Sequence, residues 1–271
     1  MKNKIHLVLL LWTLSLLTLA GCSDKKSDDT MIKVGASTLP HAQILNAMKG
    51  YVKERGYTLV VEEFADYVQP NHALNDGELD ANFFQHQPYL DSFNEQNGTS
   101  LLNAAAIHFE PLGIYSNKLH SLSELKKGDS VAIPNDTTNE ARALLLLEAN
   151  GLIKLQKDTG IAATTMDIID NPLELSFDEL DAAMIPRTLE NMTIAIINGN
   201  YALTAGLNAQ KDALAMEDVN SLSAQTYTNI LVVKAENKDS EKTKVLIDAL
   251  TSDECRDYIE SIYEGAIVPV F

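Results

Sequence analysis

Beyond residue 30 the chain switches repeatedly between short apolar runs and stretches with apolar residues at helical spacing. That alternation predicts an α/β fold. Strands are expected at Met31–Ala36, Tyr57–Phe64, Glu78–Phe84, Asp129–Pro134, Thr193–Ile197 and Thr228–Lys234, with an extended run over Ile107–Tyr115. Asp167–Asp170 and Glu174–Phe177 read as further strands. Helices are expected over Leu39–Glu54, Asp66–Asp76, Pro88–Gln96, Glu140–Ala149, Leu180–Leu189 and Tyr201–Leu207, with two more, Ser240–Leu250 and Ser252–Tyr263, closing the chain. Gly77, Asn97-Gly98 and Asn150-Gly151 supply stop signals. Three strand–turn–helix units recur, at Leu79–Leu90, Val131–Leu147 and Ile194–Leu207, each with polar residues crowding the turn. Open α/β sheets place ligand sites at such turns.

The N-terminus carries a different signal. Met1-Lys2-Asn3-Lys4 precedes an apolar run, Ile5 to Leu19, that is short for a membrane span and ends in Leu19-Ala20-Gly21-Cys22. This pattern looks like a bacterial lipoprotein signal peptide. Cleavage after residue 21 leaves Cys22 as the new N-terminus, carrying lipid with palmitate among its acyl chains, and about 250 of the 271 residues in the mature chain. Residues 22–30, polar and charged, read as a lipidated flexible tether. The expected location is the cell membrane, lipid-anchored, on the extracytoplasmic side.

The formal charge is −17, and it falls to about −19 once Lys2 and Lys4 are lost. Such a surface repels nucleic acid, so no nucleic-acid partner is expected. With Cys22 committed to lipid, Cys255 stands alone and no disulfide forms within the chain. The six histidines are scattered, without metal-ligand spacing, and no nucleophile, zinc or phosphate-loop motif is present. The expectation is therefore a protein that is not an enzyme and holds no cofactor and no metal.

Three groups of residues suggest a small-molecule site. Arg142 falls in the first turn of the helix predicted from Glu140, where the helix dipole disfavours a cation unless an anion joins it. An exposed arginine or a salt bridge is the ordinary alternative. Tyr67, Phe84, His86 and Tyr89 bunch at strand ends and turns in a chain that is only 6% aromatic, which suits an apolar slot for a polarizable sulfur. Phe83 is expected to point the other way, into the core. Asn198, beside Gly199 after a strand, and Asn229, inside an apolar strand, offer amide oxygens to an ammonium group.

The stretches Asp66-Tyr67-Val68-Gln69-Pro70-Asn71, Glu78 to Leu90, Val131 to Asp136, Thr138 to Leu144, Ile185-Pro186-Arg187 and Ile197 to Ala202 resemble the NlpA/MetQ family, the methionine-binding lipoproteins of ABC importers. The resemblance runs from Ile32 to Phe271. It implies a two-lobed periplasmic-binding-protein fold (type II-like) with the ligand in the interlobe cleft. It divides this chain into lobe 1, residues 31–112 plus 234–271, and lobe 2, residues 113–233. It implies that Arg142 clamps the ligand α-carboxylate with Asn139 in support, that Asn198 and Asn229 meet the ammonium, and that Tyr67, Phe84, His86 and Tyr89 enclose the thioether. Truncating Arg142 is then expected to remove binding and leave the fold intact. The implied partners are L-methionine, the importer's permease and ATPase subunits, and the membrane through the lipid. D-methionine, a methionine-containing dipeptide, or a surface adhesin role without transport are the alternatives.

Overall fold

The computed structural model describes residues 29–220 and 222–271. The leader, Cys22 and the tether to residue 28 lie outside the described residues. Two β-sheets, each flanked by helices, form the two lobes. In chain order the first part runs β1 (Met31–Ser37), β2 (Thr58–Phe64), β3 (Ala81–His86) and β4 (Leu101–Phe109). The middle part holds β5 (Gly113–Tyr115), β6 (Ser130–Pro134), a small hairpin of β7 (Lys154–Leu155) and β8 (Ile168–Asp170), β9 (Ser176–Leu180), β10 (Ile194–Ile197) and β11 (Ala215–Met216). The chain ends with β12 (Asn229–Lys234) and β13 (Val268–Pro269).

The first sheet has the order β13-β4-β12-β3-β1-β2, and the second β11-β5-β10-β6-β9. Strands β1, β2 and β3 are parallel, and β12 runs antiparallel between β3 and β4. The predicted extended run 107–115 is thus two strands in different sheets, and its interruption at residues 110–112 is the first crossover between lobes. The second crossover lies between β11 of the second sheet and β12 of the first. Strand β12 belongs to the first sheet, so the boundary expected at residue 233 moves back to the start of β12. Its run Ile230-Leu231-Val232-Val233, buried on both faces, reads equally well as the centre of either sheet, and only the long-range pairing decides.

All three strand–turn–helix units form, as β3 followed by α1 (Gln87–Asn97), β6 followed by α2 (Thr137–Ala149), and β10 followed by α3 (Gly199–Thr204). Helix α1 stops at Gly98, which sits in the left-handed region at φ 63°. Helix α2 begins three residues earlier than the sequence suggests. Asp136 caps it, accepting from Asn139 N, so Thr137 to Asn139 are helical and Arg142 falls in the second turn. The dipole argument for Arg142 weakens accordingly, because the effect fades beyond the first turn.

Two other expectations fail locally. The segment 39–54 is a kinked turn (Thr38–Ala42) followed by two short helices, Gln43–Ala47 and Lys49–Glu54. Leu39, extended at φ −127° and ψ 141°, precedes Pro40, which disfavours the helical conformation there. The segment 180–189 is not one helix: Leu180 ends β9 on the sheet edge, and only a 3₁₀ turn, Ile185–Thr188, follows around Pro186.

Each lobe has its own core. In lobe 1, Ile32, Val34, Phe83, Leu231 and Leu250 are fully buried, and Phe83 does turn away from Phe84. In lobe 2, Ile133, Leu144, Leu147 and Ile196 do the same. Between β3 and the helix before it (Gln69–Asp76), Asn71, Asn82 and Gln85 form a buried amide network with bonds of 2.7 to 3.0 Å, which stiffens the strand that carries Phe84 and His86. Cys255 is buried and unpaired, and among the described residues no helix is long and apolar enough to cross a membrane. Leu144→Ala, a full truncation at the base of α2, should cost about 2–5 kcal/mol of stability. Chemical denaturation that shifts by less than 1 kcal/mol would show that α2 is not anchored as described.

Candidate functional site

The ends of β3, β10 and β12, the first turns of α1, α2 and α3, and the first crossover converge on one cavity between the lobes. All eight residues singled out in the sequence line it: Tyr67, Phe84, His86, Tyr89, Asn139, Arg142, Asn198 and Asn229. Tyr67, Phe84 and Tyr89 form one wall, with ring centroids 5.7 to 6.1 Å apart, and the His86 ring lies 6.3 Å from Tyr89. The Tyr67 hydroxyl donates to Asn200 Oδ1 across the cleft at 2.5 Å. Tyr89 OH donates to the Tyr67 carbonyl at 3.0 Å, fixing the wall from behind.

Lobe 2 supplies the polar side. The Asn139 amide group donates to both Asp136 oxygens, at 2.9 and 3.0 Å. Its Oδ1 accepts from Asn198 Nδ2 at 2.7 Å and lies 3.2 Å from His86 Nε2. Asn139 is therefore a crosspiece that orients Asn198 and ties the aromatic wall to α2. Asn198 Oδ1 is buried with no partner, an acceptor left open toward the cavity.

Arg142 is held by both crossovers. Its Nε donates to Glu217 Oε1 at 2.9 Å, and its Nη2 donates to Glu217 Oε2 at 2.5 Å and to the Glu110 carbonyl at 2.8 Å. Only Nη1 is outside this pairing. The cation that the sequence left waiting for a ligand anion already has a carboxylate partner 75 residues away in sequence. Burial works to lower the Arg142 pKa, and the charge and hydrogen bonds of Glu217 more than offset it. The expectation that Arg142→Ala leaves the fold intact is therefore corrected. That variant strands the buried Glu217 carboxylate, a change of the kind that costs about 3–5 kcal/mol.

Glu110, in the first crossover, was not singled out in the sequence. Its side chain is buried and lines the cavity, with Oε1 2.8 Å from His108 Nε2 and 3.2 Å from His41 Nε2. His41 Nε2 also lies 3.0 Å from Asn229 Oδ1, and its Nδ1 lies 2.6 Å from Ser37 Oγ. An ionised Glu110 can only accept, so with its carboxylate charged each Nε2 that faces it carries the proton, and two neutral imidazoles donate to it. Burial raises the Glu110 pKa, while His41, Arg142 and a bond from the Asn200 N–H pull it back down. Gly199 stands against Glu110: a Cβ there would sit 2.7 Å from Glu110 Cβ, so glycine serves this close approach and not a positive φ.

His41, His108 and Glu110 place three possible metal-ligand atoms within 4.8 Å of one another, a grouping the scattered sequence positions concealed. The assigned tautomers point N–H groups, not lone pairs, at Glu110, and His41 Nε2 faces a second acceptor in Asn229. The donor set therefore fits a buttressed carboxylate better than a cation site.

Burial lowers the pKa of His41 to about 4, and of His86 and His108 to about 3. Each stays neutral in the fold below the ordinary 6.5, where the unfolded chain takes up a proton. Stability is therefore lost as pH falls through 6.5, by about 1.4 kcal/mol per pH unit for each histidine. Glu110, its pKa raised, opposes this where it takes up its own proton. The melting temperature should drop steadily from pH 7 to pH 5, and a flat profile would contradict the neutral assignments.

The NlpA lipoprotein family model matches residues 32–271. The D-methionine-binding lipoprotein MetQ of Salmonella typhimurium is 41% identical over 256 residues, 93% of each chain. A nutrient-binding protein of Burkholderia cenocepacia, solved bound to methionine, superposes with a TM-score of 0.85 at 44% identity, covering 89% of this chain and all of that one. The methionine-binding protein MetQ gives 0.84 at 38% identity over 89% of this chain and 98% of its own. The cleft, its two lobes and the sequence that builds them place this chain in the NlpA lipoprotein family.

Proposed function

We propose that the protein is a lipid-anchored solute receptor that captures methionine in the interlobe cavity and delivers it to the permease and ATPase subunits of an ABC importer. The observation that carries this reading is the pattern of unspent polar groups around one aromatic slot. Arg142 Nη1 is a donor without a partner, Asn198 Oδ1 is a buried acceptor without a partner, and Glu110 is a buried carboxylate on the cavity wall. A zwitterion answers all three. Its carboxylate meets Nη1, and its ammonium meets Glu110 and Asn198, with Asn229 beside them. The thioether lies among Tyr67, Phe84, His86 and Tyr89, whose polarizable faces suit sulfur. The relatives named for methionine support this choice of ligand.

Cys22 is the proposed lipid attachment, holding the soluble lobes on the extracytoplasmic face of the membrane.

Charge-assisted contacts of about 1.5–3 kcal/mol each, with a buried thioether side chain worth about as much, lead to a micromolar or tighter dissociation constant. Calorimetry on protein stripped of ligand should show this for L-methionine, with D-methionine and methionyl dipeptides as the competing arms. N-acetyl-L-methionine, which keeps the carboxylate and loses the cation, should bind at least about 100-fold more weakly, because it leaves Glu110 without a counter-charge. The reading fails if methionine produces neither heat nor a thermal shift, or if the acetylated form binds as well.

A further inference from the structure

Both segments that pass between the lobes end on the same guanidinium. From the first crossover, the Glu110 carbonyl accepts from Arg142 Nη2, and the Phe109 ring at the end of β4 lies 5.7 Å from Arg142 Cζ. From the second, Glu217 accepts from Nε and Nη2, and the Tyr227 ring lies 4.5 Å from Cζ. The crossovers also bind each other: Leu112 N donates to Glu217 Oε2 at 2.8 Å, and Glu217 N donates to the Leu112 carbonyl at 3.0 Å. Glu217 and Arg142 are 6% and 4% exposed, so little solvent reaches the pair.

We propose that Glu217 is a positioning residue, which holds the Arg142 guanidinium between the two crossovers so that Nη1 alone is presented to the ligand carboxylate. A guanidinium has five N–H groups in a rigid plane. Here Nε spends one on Glu217, and Nη2 spends its two on Glu217 and the Glu110 carbonyl. The edge left over is Nη1. The side-on grip of the Glu217 carboxylate fixes the plane, and the rings of Tyr227 and Phe109 limit its tilt. Glu217 also neutralises Arg142, so the cation is tolerated at this depth before any ligand arrives. Glu217 does not touch the ligand and is absent from the cavity wall. Its effect reaches the ligand through Arg142.

The inference rests on the reading that a ligand carboxylate meets Arg142, and the test separates the two. Affinities for L-methionine and for L-methioninol, which lacks the carboxylate, are measured by calorimetry on the full mature chain. The proteins are the wild type, Glu217→Asp, Arg142→Lys and the double variant. Glu217→Asp keeps the charge and moves it by one methylene, so the pair stays neutralised while the guanidinium is re-aimed. The wild type should prefer methionine by about tenfold or more. Glu217→Asp should lose about tenfold or more in methionine affinity, with methioninol changed by less than about threefold. In the Arg142→Lys background, Glu217→Asp should add less than about threefold. Equal weakening of both ligands by Glu217→Asp, or full additivity with Arg142→Lys, overturns the positioning role. A wild type that binds both ligands alike overturns the carboxylate reading itself. Circular dichroism and melting of each variant establish that the proteins compared are folded.

Discussion

A buried ion pair at the junction of two lobes is an expensive thing to build. Each charge loses its hydration, and the pair recovers that loss only with good geometry and with its remaining hydrogen-bonding capacity filled. Arg142 and Glu217 meet those conditions through a two-point contact, two backbone partners from the first crossover and an aromatic ring close to the guanidinium. The rest of the cleft follows from where this pair sits. It joins α2 of lobe 2 to both connecting segments, and it leaves one guanidinium nitrogen as the site's unspent cationic donor.

The sheets bring the other groups to it. Each strand–turn–helix unit delivers its turn to the cleft, β3 with the aromatic wall, β6 with Asn139 and Arg142, and β10 with Asn198 and Gly199. This is the usual location of a site in open α/β sheets, beyond the carboxyl ends of the strands. What is particular to this chain is the polar support behind each group. Asp136 and Asn139 hold Asn198, the Asn71–Asn82–Gln85 network backs β3, and two imidazoles hold Glu110. A site whose contacts are fixed in advance loses less free energy to ordering when a ligand enters.

The aromatic and amide residues were legible in the sequence because they lie at strand ends or in the turns and first helical turns beside them, where short-range pattern is informative. The residues that sequence reasoning missed were invisible for a common reason. Glu110 and Glu217 sit in crossovers, which have no periodicity to mark a side chain as inward-facing. His41 reaches Asn229 across 188 residues, and nothing local connects them. Net acidity worked against Glu217 in particular: in a chain of charge −17, one more glutamate reads as surface. The start of α2 was misplaced because Thr138 and Asn139 look like loop residues until Asp136 is seen to cap them. The assignment of β12 failed because strand pairing is set by contacts that no single segment contains.

The division of labour between the lobes bears on how closure is driven. Tyr67, Phe84, His86 and Tyr89 all come from the lobe of the first sheet, whereas Arg142, Asn139 and Asn198 come from the other. Direct bonds also join the lobes, among them Tyr67 OH to Asn200, Tyr201 OH to the Ala65 carbonyl, His86 to Asn139, and Gln210 to the Gly265 carbonyl. A ligand shifts a conformational equilibrium only by the difference between its affinities for the two states. In the proposed pose a side chain alone would engage one lobe and a carboxylate alone the other, so neither half of an amino acid would reward closure by itself. A molecule carrying both ends at the right separation does, and it gains the cross-lobe bonds along with its own. On the proposed reading, selectivity and closure are then one property of the cleft: a ligand that spans the aromatic wall and Arg142 adds its own contacts to the bonds that already join the lobes.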